Sequence, residues 1–163
     1  MRVPQIIQQK IYDLPGLQHQ LRRWKLLSKT VAFTNGVFDI LHRGHIASLS
    51  EAAREADFLV VGLNSDASTR RLKGDQRPVN DQDARAIVMA SLLMVDAVIF
   101  FEADTPLDLI TAVEPDVLVK GGDYTLDQIV GAKEVMAAGG RVVINPIVAG
   151  YSTTGLIGKI NTL

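Results

Sequence analysis

Two of the chain's three histidines stand three residues apart in N-G-V-F-D-I-L-H-R-G-H, residues 35–45. The spacing suits a specific kind of chemistry. Asn35-Gly36 ends an apolar run, and glycine permits a turn that aims main-chain N–H groups into a crevice. Gly44 lets a ligand approach the backbone, and His45 falls in the first turn of an expected helix. A helix N-terminus attracts anions through its unpaired N–H groups and its dipole. Imidazoles at i and i+3 project from one face of a helix, so His42 and His45 can donate together to phosphate oxygens. The dipole disfavours a protonated His45, and a bound anion offsets that, so the charge of the pair depends on its ligand. The plainer alternative is that His42 caps a turn and His45 packs against a sheet. A metal site is disfavoured, because no third ligand is near and H-E-x-x-H is absent.

Other residues could join the pair. Ser152-Thr153-Thr154 in G-Y-S-T-T-G-L-I-G-K-I places three hydroxyls at the start of a late helix, where an N-cap alone would also explain them. Lys73 lies in a segment bearing glycine and proline, R-R-L-K-G-D-Q-R-P, and could close over a triphosphate or remain a solvated surface lysine. Arg77 is a secondary phosphate candidate, while Arg70 and Arg71 fit a solvated face. Arg85, in an otherwise apolar helix, reaches either a phosphate or a carboxylate. Lys120-Gly121-Gly122-Asp123 follows an apolar run; its glycines suit a turn, and Lys120 and Asp123 suit a phosphate and sugar hydroxyls. Asp39 reads as a brace for the histidine loop. His19 has no assigned role.

The elements that must position these groups follow from periodicity. Residues 1–28 read as an amphipathic helical extension, broken at Leu14-Pro15-Gly16, and 29–163 as the domain proper. Strands are expected at 30–35, 57–64, 96–101, 116–120 and 141–146. Helices are expected at 45–56, 81–94, 105–113, 131–139 and 152–160, the third with Thr105 as N-cap and Pro106 in its first turn. Alternating, nearly continuous apolar strands and helices predict an α/β fold: a Rossmann-like, doubly wound, five-stranded parallel sheet with helices on both faces. Ligands in such sheets bind at the carboxyl ends of the strands. The loops leaving those ends hold most of the Gly, Asp, Lys and hydroxyl residues.

Composition narrows the function. In 163 residues, 17 basic and 18 acidic side chains leave a net charge of −1, so no basic surface marks a nucleic-acid partner. Cysteine is absent, which removes disulfides, thiolate metal sites and thiol nucleophiles. No secretory signal or run long enough to span a bilayer is read, so a cytoplasmic protein without membrane association is expected. Neither G-x-G-x-x-G nor G-x-x-x-x-G-K-[ST] occurs, against a dinucleotide-dependent oxidoreductase or a P-loop enzyme.

H-x-G-H after a strand, preceded by G-x-F-D and followed late in the chain by S-T-T, resembles the nucleotidyltransferase superfamily of cytidylyltransferases and class I aminoacyl-tRNA synthetases. F-T-N-G-V-F-D-I-L-H-R-G-H, V-V-G-L-N-S-D, P-D-V-L-V-K-G-G-D-Y and G-Y-S-T-T are similar to the adenylyltransferase domains that make ADP-heptose. The resemblance covers roughly residues 30–160. It implies AMP transfer from ATP to a sugar 1-phosphate, D-glycero-D-manno-heptose 1-phosphate being the expected acceptor, for lipopolysaccharide or surface-glycan precursors. It implies His42, His45 and Lys73 as catalytic groups. Thr34, Asn35, Gly36, Val37, Phe38, Gly44, Lys120, Gly121, Ser152, Thr153 and Thr154 would hold the nucleotide, and Arg85 and Asp123 the sugar phosphate. Mg²⁺ would arrive with ATP, without a metal site on the protein. No kinase domain is read, so a separate sugar kinase would supply the acceptor, and a homodimer is expected from similar enzymes. Residues 147–151 carry no basic side chain, unlike the R-T-E-G-I-S-T-T of glycerol-phosphate cytidylyltransferases, and Tyr151 stands where the heptose enzymes often have cysteine. Cytidylyl transfer to a polyol phosphate, and a nucleotide-binding regulatory module without turnover, are the alternatives.

Overall fold

The computed structural model describes residues 5–146, 148 and 150–162. Residues 1–4 of the expected extension, and positions 147, 149 and 163 of the following domain, lie outside the described residues.

The elements are α1 (Ile6–Gln9), β1 (Ile11–Tyr12), α2 (Leu14–Leu26), β2 (Val31–Gly36), α3 (Arg43–Ala53), β3 (Phe58–Asn64), α4 (Asp66–Lys73), α5 (Gln82–Ala90), β4 (Ala97–Phe101), α6 (Leu107–Val113), β5 (Val117–Gly121), α7 (Ala132–Ala137), β6 (Arg141–Asn145) and α8 (Thr153–Ile160). The described strands form one six-stranded sheet, in order β1-β4-β3-β2-β5-β6. All five pairings are parallel.

The period-two alternation of the strands divides the core. Val31 and Phe33 of β2, Val60 of β3 and Leu118 of β5 face α2, α6 and α7 in one buried layer. Ala32, Leu59, Val61, Val117 and Val119 face α3 and α5 in the other. Both faces are covered, so the strands must be apolar throughout. An aspartate before three of the strands satisfies a neighbouring strand's first N–H groups. Asp57 accepts from Thr30 N at 2.9 Å, Asp96 from Leu59 N at 2.8 Å and Asp116 from Val31 N at 2.7 Å.

The sheet has six strands rather than the expected five. The sixth, β1, lies inside the stretch read as helical; two residues are too few for any periodic signal. It forms because the outer edge of β4 is open to it: Val98 N donates to Lys10 O at 2.7 Å. Lys10 Nζ then donates to Val95 O at 2.6 Å, latching the segment down. Leu17 and Trp24 of α2 are buried in the core, with Trp24 stacked on Phe58 at 4.2 Å. A second unforeseen element is α4, within the segment read as a loop. Its mean composition is polar, so it carries no apolar stripe; Ser65 starts it by accepting from Ser68 N at 3.1 Å.

Strand order reverses between β2 and β5. The chain steps from β2 through β3 to β4, then crosses to lay β5 on the other side of β2. That is a topological switch point, and the crevice beyond the carboxyl ends of β2 and β5 is where the fold can seat a ligand.

Candidate active site

The histidine loop leaves β2 at this switch point. His42 is the N-cap of α3 in extended conformation, and its carbonyl accepts from His45 N at 2.9 Å. The helix therefore starts two residues before the expected position. The two imidazoles stack, with centroids 3.8 Å apart and planes inclined by 19°, and Phe38 meets His45 edge-on at 5.2 Å. Both Nδ1 atoms are buried without a hydrogen-bond partner among the described residues. Burial pushes the His42 pKa below its ordinary 6.5. Burial, with the neighbouring His42 adding to it, pushes His45 down to about 4. Near pH 7 the pair is therefore mainly neutral, able to donate hydrogen bonds without carrying the charge of imidazolium.

Gly44 holds this arrangement together for a steric reason. A Cβ there would sit 3.0 Å from His42 Cε1 and Nδ1 and 3.2 Å from Tyr151 Cβ. The glycine makes room for the imidazole itself.

The hydroxyl cluster arrives from the far end of the chain. Ser152 caps α8 by accepting from Gly155 N at 3.0 Å, and Thr153 Oγ1 donates to Ile40 O of the histidine loop at 3.4 Å. Tyr151 lies over His42, with ring centroids 6.4 Å apart. The N-termini of α3 and α8 thus converge. His42, His45, Lys73, Ser152, Thr153 and Thr154 line one cavity of about 370 Å³, together with Val37 and Phe38.

A second cavity of about 420 Å³ adjoins it over the ends of β2, β3 and β5, sharing Val37 and Lys73 with the first. Asn35, Gly36 and Lys120 line it, with Asn64, Asp104 and Gln128 adding polar groups. Lys120 Nζ donates to Asn35 Oδ1 at 3.4 Å and stands 5.9 Å from the Tyr124 ring centre; burial lowers its pKa below the usual lysine value. Thr105, expected as an N-cap, instead faces this cavity, and Pro106 takes the cap position of α6.

Asp39 braces the histidine loop, as its position suggested. Its carboxylate accepts from Arg77 Nε at 2.6 Å and from Val79 N and Asn80 N at 2.9 Å, and Asn80 Nδ2 donates to Asp39 O at 2.8 Å. Burial alone would raise the carboxyl, but the Asn80 and Val79 N–H groups and the Arg77 guanidinium outweigh it and hold the pKa below its ordinary value.

Four expected site residues lie elsewhere, and a fifth, Gly44, packs against the His42 ring without lining either cavity. Arg85 lines neither cavity: its side chain is 0% exposed and donates to Asn80 O, Val37 O, Asn64 O and Asp66 Oδ1 at 2.7–3.0 Å. A lone arginine in an apolar helix signals burial with a partner as readily as a phosphate. Thr34 is buried within β2. Gly121, the last residue of β5, and Asp123 beyond it are exposed and line neither cavity; a Cβ on Gly121 would meet Ser48 Oγ at 3.0 Å. Asn64, Asp104 and Gln128 were not singled out in the sequence, although Asn64 ends a strand, Asp104 lies in the loop after β4 and Gln128 ends a short 3-10 helix after β5, and a place after a strand end is the one signal that could have found them.

Among the described residues, no group of three or more His, Asp or Glu side chains is arranged to hold a metal ion, and no helix is long and apolar enough to cross a membrane.

The cytidylyltransferase-like family model matches residues 33–158. The chain is 58% identical over 150 residues to the bifunctional protein HldE of Mesorhizobium japonicum, covering 92% of this chain and 30% of that protein. It is 56% identical over 143 residues to the bifunctional protein HldE of Hyphomonas neptunium, covering 88% and 29% respectively. The chain therefore spans about 30% of the length of these relatives. Among solved structures, the lipopolysaccharide core biosynthesis protein of Thermoplasma volcanium superposes with a TM-score of 0.59 at 31% identity, covering 74% of this chain and 97% of that one. The pantoate-beta-alanine ligase of Francisella tularensis, in complex with beta-gamma ATP and beta-alanine, superposes at a TM-score of 0.60 and 15% identity over 94% of this chain and 78% of its own, which speaks to the fold alone. From the extent of the family match, spanning both the histidine loop and the hydroxyl cluster, the chain belongs to the cytidylyltransferase-like family.

Proposed function

We propose that this chain is a nucleotidyltransferase that moves AMP from ATP to a sugar 1-phosphate. The observation that carries the reading is the meeting of two neutral imidazoles and a hydroxyl-bearing helix N-terminus around one cavity, beside a second polar cavity that shares Lys73. The first suits a polyphosphate and the second a polyhydroxylated phosphate. Lys120 supplies charge there, and Asn35, Asp104 and Gln128 supply hydrogen bonds for hydroxyls.

An oxygen of the sugar phosphate attacks the α-phosphorus of ATP. The bond from that phosphorus to the β-bridging oxygen breaks, and pyrophosphate leaves with the electron pair. The nucleophile is already ionised at neutral pH, so the protein need not supply a strong base. What remains is alignment and stabilisation of charge on the phosphate oxygens. In this reading His42 and His45 donate to the α- and β-phosphate oxygens, Lys73 bridges donor and acceptor, and Thr153, Thr154 and the start of α8 hold the outer phosphates. Mg²⁺ arriving with ATP would supply further charge neutralisation.

Likeness to a lipopolysaccharide core biosynthesis protein supports a sugar acceptor, and the resemblance to ADP-heptose-forming domains makes D-glycero-D-manno-heptose 1-phosphate our choice. Pyrophosphate release should require both ATP and the sugar phosphate. His45→Ala should lower it by about 10²–10³, the usual effect of losing one preorganised donor. Release with CTP and glycerol 3-phosphate instead would move the chain to polyol-phosphate cytidylyl transfer. ATP binding without release from any acceptor would make it a regulatory module.

A further inference from the structure

The histidine cavity is short of positive charge. A triphosphate brings several negative charges, while burial keeps both imidazoles largely neutral near pH 7. The cations lining this cavity are Lys73, exposed at the end of α4, and Arg77. Arg77 is the less exposed of the two. Its side chain is 15% exposed, and Nε donates to Asp39 Oδ2 at 2.6 Å. Its terminal nitrogens form no hydrogen bond with any described residue.

Asp39 is fixed without help from the arginine. Its carboxylate is fully buried and receives the Val79 and Asn80 N–H groups, so its direction is set by backbone. A guanidinium anchored through Nε to such a carboxylate still presents its other donors as a planar fork, matched to phosphate oxygens. A lysine gathers its donors on a single nitrogen and offers no such fork beyond the carboxylate it pairs with. Asp39 and Arg77 both line the cavity that holds His42, His45 and Thr153, so the ion pair itself sets the guanidinium beside the imidazoles.

We propose that Arg77 is a direct ligand of the polyphosphate, including the leaving pyrophosphate, and that Asp39 is its positioning residue. The proposal rests on the nucleotidyl-transfer reading for its place in catalysis, and its test separates the two. Inorganic pyrophosphate with Mg²⁺ is titrated calorimetrically into the wild-type chain, Arg77→Ala, Arg77→Lys, Asp39→Asn and the double variant, with circular dichroism confirming each fold. Loss of a charge-assisted contact should weaken pyrophosphate binding roughly tenfold to a hundredfold in Arg77→Ala. Arg77→Lys keeps one charge able to pair with Asp39, yet should recover little of that affinity. Asp39→Asn should weaken binding in the wild-type background but change it less than twofold when Arg77 is already alanine, a dependence that a purely structural role would not show. If Asp39→Asn does not fold, Arg77→Lys decides.

Affinity within twofold of wild type in both Arg77 variants overturns the proposal, as does a wild-type chain that binds no pyrophosphate. Equal losses from Asp39→Asn in both backgrounds overturn the positioning role. Arg77-dependent pyrophosphate binding in a wild-type chain that transfers no nucleotide would sink the proposed function and leave this inference standing.

Discussion

Replacing Arg85 with methionine is the sharpest test of how the loops around the site are held. The guanidinium reaches the Val37 carbonyl at 2.7 Å, the Asn64 carbonyl at 2.9 Å, the Asn80 carbonyl at 3.0 Å and the Asp66 carboxylate at 2.7 Å. It thereby joins the histidine loop, the end of β3 and the segment before α5. Methionine fills much of the same volume but leaves these acceptors without a donor. The Asp66 side chain is 23% exposed and can be rehydrated; the Asn64 carbonyl lies in the fully buried part of the network. Breaking a buried charged pair on one side costs about 3–5 kcal/mol, against a total of about 5–15 kcal/mol for a typical domain. Urea denaturation should therefore show a loss of that order with an unchanged slope. Val37 borders both cavities, so the surviving folded fraction should bind both substrates less well. A variant within about 1 kcal/mol of wild type would refute the structural assignment. So would one of normal stability whose KM rises for the sugar phosphate alone, which would return Arg85 to the substrate.

Three further outcomes follow from the site. The unfolded chain protonates His45 near 6.5 but the folded chain only near 4, so this residue's stabilisation is complete above pH 6.5 and lost as pH falls toward 4. At about 1.4 kcal/mol per pH unit the ceiling is about 3 kcal/mol, roughly halved for partial exposure; urea unfolding of His45→Gln at pH 7.5 and 4.5 should show a correspondingly weaker acid loss, and an identical pH dependence would contradict it. Gly44→Ala puts a methyl 3.0 Å from the His42 ring, so turnover should fall at least tenfold while the melting temperature moves by only a few degrees; normal turnover would show that His42 can shift without consequence. Ser152→Ala removes the cap on Gly155 N and should cost about 1 kcal/mol in thermal or urea unfolding, with no change marking the cap as dispensable.

What could be read from sequence alone was the part carried by repetition. Alternating apolar strands and helices revealed five of the strands and the parallel, two-sided sheet, because a strand buried on both faces must be apolar at every position. The sixth strand escaped because Ile11–Tyr12 is held by an open sheet edge and the Lys10 latch, neither of which leaves a pattern. Helix α4 escaped because its polar sequence shows only a capping serine. His42, His45 and Ser152–Thr154 could be singled out because each has a functional-group type at a helix start. That loops separated by more than a hundred residues share a cavity comes from strand order, which periodicity does not encode. Arg85 and Arg77 show the limit plainly: one arginine is consumed by carbonyls and the other borders the cavity, and only three-dimensional partners separate them.

The most direct test is the mass of the product formed when the protein is incubated with ATP, Mg²⁺ and D-glycero-D-manno-heptose 1-phosphate, alongside CTP and hexose 1-phosphate controls. The expected product is an ADP-heptose, formed in equal amount with pyrophosphate and nearly absent from His45→Ala. A product carrying CMP, or an ADP-sugar formed equally well by His45→Ala, would contradict it.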